Sequence, residues 1–167
     1  WRNRDLKSPS RTNEELGKSG NIKDEKVSAE TLERDGAEGK SLREGIQRLC
    51  KESEKALSLG HNILVLSDRS CGEKKLPIPA LLATGAVHHH LIKKQKRQLT
   101  AMVVETADAR EVHHFATLIG YGAVAVNPYL SFQMLEECVG KKGFEGISGE
   151  EMKENYKKAL NKGLLKS

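Results

Sequence analysis

A chain of 167 residues is long enough to bury a real core and suits one domain, or a compact piece of a larger one. Its 28 Lys and Arg are interspersed with 23 Asp and Glu, so the net charge of +5 describes a solvated surface rather than a nucleic-acid groove, which needs its basic residues clustered. No apolar run approaches the roughly 20 residues of a membrane span, and Cys50, Cys71 and Cys138 are too scattered for a disulfide framework or a CxxC metal pair, so a reduced, cytoplasmic chain is expected.

Residues 1–40 are polar, rich in Ser, Glu, Lys and Gly, and read as a weakly structured arm in which Thr12 and Glu15 allow one short capped helix. The opening "WRNRDLKSPSRTNEE" is too polar for a secretory signal, and its start at Trp1 rather than Met points to a segment of something longer. From Ser41 the periodicity becomes regular. Ser41 and Glu44 form a capping box, followed by Leu42, Ile46, Leu49, Cys50 and Leu57 at helical spacing, with a stop at Gly60. Ile63 to Leu66 run apolar without alternation, as a buried parallel strand requires.

A helix started near Pro77 or Pro79 follows, with Ile78, Leu81, Leu82, Gly85, Ala86, His89 and Ile92 on the stripe expected to be buried. "LTAMVVE" is a second buried strand. The next helix takes Asp108 as its N-cap and turns Val112, Phe115, Ala116 and Ile119 inward, and "GAVAVNP" is a third strand ending at Pro128. Residues 41–146 thus make an α/β segment with a parallel β-α-β-α-β core, an incomplete Rossmann-like or barrel-like sheet with flanking helices, in which Val65, Leu82, Val103 and Phe115 are expected to be buried. A helix begins at Ser131. A final one, in residues 147–167, is capped by Ser148 and Glu151 and carries Met152, Tyr156, Ala159, Leu160, Gly163 and Leu164 on one stripe.

Five of the six histidines lie in "VHHH" and "VHHF". Consecutive helical positions are about 100 degrees apart, so His88, His89 and His90 point three ways and cannot converge on one ion. Neither cluster has the i, i+3 or i, i+4 spacing of a zinc helix, and the same holds for His113 and His114. These histidines are expected to serve packing and interdomain hydrogen bonds rather than metal or acid/base chemistry. Asp68, Arg69, Glu105 and Asn127 lie at the carboxyl ends of the strands, where parallel sheets place ligand crevices. Yet "SDRSCGEKK" and "ETADARE" hold no phosphate-cradling glycine pattern. Two readings follow: a small-molecule or enzymatic module using Asp68, Glu105 and Asn127, or an ion-pair network of Asp68, Arg69, Glu105 and Arg110 tying loops together.

The stretches "ILVLSDRS", "PIPALLATGAVHHHLIKK", "VVETADAREVHHFATLIGYGAVAVNPYL" and "NYKKALNKGLLK" resemble the central domain of the glutamate synthase large subunit, up to the edge of its FMN-binding domain. "LKSPSRTNEEL" resembles the family's arm more weakly, with Ser10 and Arg11 where apolar residues are usual. The resemblance implies a non-catalytic connector in an enzyme that makes L-glutamate from glutamine-derived ammonia and 2-oxoglutarate. The parent would use FMN and an iron-sulfur cluster, with no catalytic, cofactor or metal residue in this segment. Its partners would be an upstream glutaminase domain and a downstream FMN-binding domain of the same chain, with no nucleic acid or membrane. The location would be the cytoplasm, or a plastid if the parent is from a plant.

Overall fold

The computed structural model describes residues 28–36, 41–72 and 75–166. In chain order it has strands β1 (Ala29–Glu33) and β2 (Asp35–Gly36), helix α1 (Leu42–Ser58), strands β3 (Ile63–Ser67) and β4 (Leu76–Pro77), and helix α2 (Ala80–Lys93). Strand β5 (Ala101–Glu105), helix α3 (Val112–Gly120), strand β6 (Ala125–Asn127), and helices α4 (Tyr129–Glu137) and α5 (Gly149–Leu164) complete it.

Four strands form a parallel sheet in the order β1-β3-β5-β6, and β2 pairs with β4 in a short antiparallel ribbon. Each strand of the sheet lies beside its predecessor in the chain. A doubly wound sheet reverses its order at a switch point and opens a crevice there; this order has no reversal and is the succession found in a βα barrel. The helices agree, since α1 packs on α2 and α2 on α3.

The register sorts the side chains into layers. Leu32, Leu66, Val104 and Val126 align across the four strands and are buried beneath the helices. On the opposite face Thr31, Val65, Val103 and Ala125 align, and one step toward the carboxyl end Glu33, Ser67, Glu105 and Asn127 form a polar row. Among the residues expected in the core, Val103 and Phe115 are buried, whereas Val65 is only half-buried and Leu82 keeps 43% of its surface exposed.

The capping box at α1 forms: Glu44 N donates to Ser41 Oγ, and Ser41 N to Glu44 Oε2 at 2.8 Å. Gly60, at φ +91°, takes the left-handed turn that ends the helix. Of the stripe expected in α1, Leu49 and Cys50 are buried and Leu42 is exposed.

Four expectations are corrected. The arm contributes β1, an edge strand of the sheet; the capping box at Thr12 and Glu15 lies outside the described residues. The inner face of α2 is Ala80, Ala83, Thr84, Val87 and Leu91, while Leu81, Leu82, His89 and Ile92 face outward. Small residues win the inner face because they let the helix approach the sheet closely. Asp108 does not cap α3; its carboxylate accepts from Ala80 N, 3.2 Å away, at the start of α2, and Glu111 takes the N-cap position. Helix α4 starts at Tyr129 after Pro128, and Ser131 Oγ instead donates to Ala109 O at 3.0 Å.

Helix α5 keeps its expected Ser148 cap and packs on α3 and α4. Gly163 permits this approach, because a Cβ there would meet Val112 at 2.3 Å. Met152 and Leu160 are buried, Tyr156 sets its ring edge on Phe132, and Ala159 is exposed.

Candidate functional site

The loops that leave β1, β3, β5 and β6 bring together Arg34, Asp68, Arg69, Glu105, Thr106, Asn127 and Tyr129. Arg34, between β1 and β2, is completely buried. Its Nη2 donates to Asp68 Oδ2 at 2.5 Å and to Thr106 Oγ1 at 2.6 Å, and its Nη1 donates to the Ile78 carbonyl. Asp68 Oδ2 also accepts from Ala107 N at 3.1 Å, and Thr106 Oγ1 accepts from Asp108 N at 3.0 Å. One guanidinium therefore ties the edge strand to the next two loops and to the start of α2.

A second centre lies beside it. Glu105 Oε2 accepts from Ser67 Oγ at 2.7 Å, and Oε1 accepts from Asn127 Nδ2 at 3.0 Å. Arg69 Nε pairs with Glu105 Oε1 at 2.7 Å, and its guanidinium stacks 4.2 Å from the Tyr129 ring centre. Burial and the nearby Asp68 carboxylate push the Tyr129 hydroxyl well above the ordinary phenol range. The two cations Arg34 and Arg69 are thus matched by Asp68 and Glu105, with Asp108 at 3.8 Å from Arg34 on the solvent side. In this cluster the buried Arg34 Nε and Asp68 Oδ1 have no hydrogen-bond partner among the described residues.

Of the expected network, Asp68, Arg69 and Glu105 are present, but the charge that pairs with Asp68 is Arg34. Arg110 lies outside it: this residue is exposed, its N donates to His114 Nδ1 at 3.2 Å, and its carbonyl accepts from Tyr156 Oη at 2.7 Å. A lone Arg in a polar stretch gives no sequence signal of its own. Arg34 becomes recognisable only once β1 is placed in the sheet.

The histidines separate. His88 Nδ1 accepts from Arg97 Nε at 2.9 Å, and Arg97 also donates to the carbonyls of Thr100 and Gly122, each at 2.7 Å. Gly122, at φ +109°, has to be glycine, since a Cβ would lie 2.3 Å from His88 Nδ1. Burial, then the Arg97 charge, then His89 hold the His88 imidazole below its usual pKa. His89 is exposed rather than on the buried stripe. His90 Nε2 stands 3.4 Å from Glu54 of α1, which Lys94 also approaches at 3.3 Å. His113 is exposed, and His114 Nε2 lies 3.7 Å from Glu111. The sixth histidine, His61, bonds Ser28 Oγ through Nδ1 at 2.6 Å.

Among the described residues no three His, Cys, Asp or Glu side chains gather as a metal site. The strand ends do not fit the phosphate of the FMN that the resemblance assigns to the parent enzyme. Arg34 and Arg69 are committed to carboxylates, the α2 N-terminus is taken by Asp108, and the α3 N-terminus carries Glu111. Two cavities of about 360 and 390 Å³ lie elsewhere, one between β1 and α1, the other beside Ile92 and Arg97. No helix among the described residues is long and apolar enough to cross a membrane.

The comparisons with known proteins bear on the fold and the family. In solved structures, the fold resembles a mutant flavocytochrome b2 with benzoylformate, at TM-score 0.55 and 14% identity over 90% of this chain and 33% of that one. In sequence, 122 residues are 43% identical to the NADH glutamate synthase of Schizosaccharomyces pombe, covering 72% of this chain and 6% of the relative. For the NADPH glutamate synthase large chain of Bacillus subtilis the figures are 44% over 125 residues, 75% and 8%, and for the ferredoxin-dependent enzyme of Pyropia yezoensis 45% over 138 residues, 76% and 9%. The chain thus spans under a tenth of the length of these relatives. A model of the glutamate synthase central domain matches residues 2–167, and the chain belongs to that family.

Proposed function

We propose that the chain is a non-catalytic connector within a glutamate synthase, an oxidoreductase that forms L-glutamate from glutamine-derived ammonia and 2-oxoglutarate. It holds an upstream glutaminase domain and a downstream FMN-binding domain at a fixed separation, and it helps to line the ammonia passage between them. FMN and the iron-sulfur cluster belong to other parts of the parent enzyme. The parent is cytoplasmic, or plastid in a plant or alga. A connector has to be stiff and has to keep water out of the passage, because ammonia that meets water is protonated and lost. A packed parallel sheet whose loop ends are locked to one another meets the first need.

The observation that carries this reading is that the residues of the rival small-molecule module are engaged with the protein itself: Asp68 bonds Arg34, Glu105 bonds Ser67 and Arg69, and Asn127 donates to Glu105. The test is Glu105→Gln in the full-length enzyme, with glutaminase and ammonia-dependent glutamate formation assayed separately. A connector leaves both near wild type while glutamine-dependent synthesis falls. An acid/base or ligand-binding role predicts a loss of about a hundredfold or more in one half-reaction of a folded enzyme, and that result would overturn the proposal.

A further inference from the structure

Helix α2 carries apolar residues on every side, and its only polar side chains before Lys93 are Thr84 and three histidines. Its inner face, Ala80, Ala83, Thr84, Val87 and Leu91, is buried on the sheet and against α1. Its outer face consists of Leu81, Leu82, His89 and Ile92, and Leu81, Leu82 and Ile92 keep 38%, 43% and 47% of their surfaces exposed. These positions follow the helical repeat, so they form one stripe. Tyr121 extends the stripe: its ring lies over Gly85, where a Cβ would stand 3.0 Å from Cδ1, and it is 49% exposed. No Asp, Glu, Lys or Arg occurs between Ala80 and Ile92.

The neighbouring helices show what a solvated outer face looks like in this protein. Arg43, Glu44 and Lys51 are exposed on α1, and Glu150, Glu151, Glu154 and Lys158 on α5. A helix whose outward face is mainly leucine and isoleucine and carries no Asp, Glu, Lys or Arg belongs in the interior of a larger assembly. The chain spans under a tenth of the length of its relatives, so the polypeptide that would supply the cover is many times larger than the chain itself.

We infer that the outer face of α2, from Leu81 to Ile92 with Tyr121, is an interface against an apolar surface of the same, longer glutamate synthase polypeptide, contributed from outside this chain. The inference rests on the connector reading and names the surface through which the connector is held. His89 sits in the middle of the stripe and reports whether it is covered.

The experiment is the labelling rate of His89→Cys by a bulky maleimide, in a Cys71→Ser, Cys138→Ser background, with Cys50 left because it is buried. The rate is measured in the 167-residue chain and in the full-length enzyme. The expected result is rapid labelling in the short chain and labelling at least about tenfold slower in the full-length enzyme, as follows from an opening cost of about 1.4 kcal/mol. Equal, rapid labelling in both overturns the inference. So does slow labelling of the short chain as a monomer, which would mean that its own residues 1–27 cover the face. Slowing that depends on concentration and accompanies a dimer in sedimentation would mean a second copy, and overturns it too. Leu82→Arg supplies a second measurement if the cysteine variant fails to fold. It should shift the melting temperature of the short chain by less than about 2 °C and lower that of the full-length enzyme by more, and no difference between the two overturns the inference. None of these outcomes bears on the half-reactions of Glu105→Gln, so the interface and the connector role fail separately.

Discussion

At the carboxyl end of the sheet, Arg34 and Arg69 are each matched by a carboxylate, Asp68 and Glu105, and all of these but Arg69 are deeply buried. At the amino end, Arg97 is half-buried and bonds three neutral acceptors, His88 Nδ1 and the carbonyls of Thr100 and Gly122. Both clamps tie successive βα units together. The first does so by charge balance, and removing one ion leaves its partner buried and alone. The second does so by geometry, and works only while the imidazole is neutral, because a proton on Nδ1 would face the Arg97 Nε–H.

The comparison breaks most visibly at Arg34. Replacing it with Ala should cost about 3–5 kcal/mol in urea unfolding, because Asp68 is left as an uncompensated buried charge. Adding Asp68→Ala should recover part of that loss, and purely additive single effects would show that the pair is not coupled. A smaller effect is expected at the other end. Arg97→Ala should cost about 1–3 kcal/mol through the carbonyls it leaves behind, and Arg97→Lys should rescue little, since an ammonium cannot reproduce the three-way fork.

The smallest effect sharpens the comparison by pH. The folded state holds His88 below the usual imidazole value of 6.5, so between that value and the lower folded one the unfolded chain binds more protons. The stabilisation is complete above the usual value and is lost as pH falls through the folded one. Burial holds the imidazole there first, then the Arg97 charge and then His89. Melting temperatures between pH 7.5 and 5.5 should fall less steeply for His88→Gln than for wild type, and parallel curves would remove the role of His88.

Three strands were legible in the sequence because buried parallel strands are continuous apolar runs, and their ends then located Asp68, Glu105 and Asn127. Strand β1 was not legible: as an edge strand it buries Leu32 but leaves Thr31 exposed, so "AETLE" looks like any polar stretch. Missing it also hid Arg34, and with it the centre of the polar network. The face of α2 was misjudged for a different reason. Apolar residues lie all around that helix, and periodicity cannot choose between a small-residue face and a leucine face when both are hydrophobic. The same ambiguity exposed Leu82 and His89 where burial was expected.

The unreversed strand order also bears on how the chain is made. As it emerges from the ribosome, each new strand finds its template already in place, one βα unit upstream, so the sheet can extend in the order of synthesis. Arg34 departs from that rhythm. Its bond to Asp68 spans 34 residues and can form with the second strand of the sheet, while its bond to Thr106 spans 72 and has to wait for the third. The guanidinium can therefore meet Asp68 once β3 has been made, but its full set of partners at the carboxyl end of the sheet exists only after β5 has been delivered.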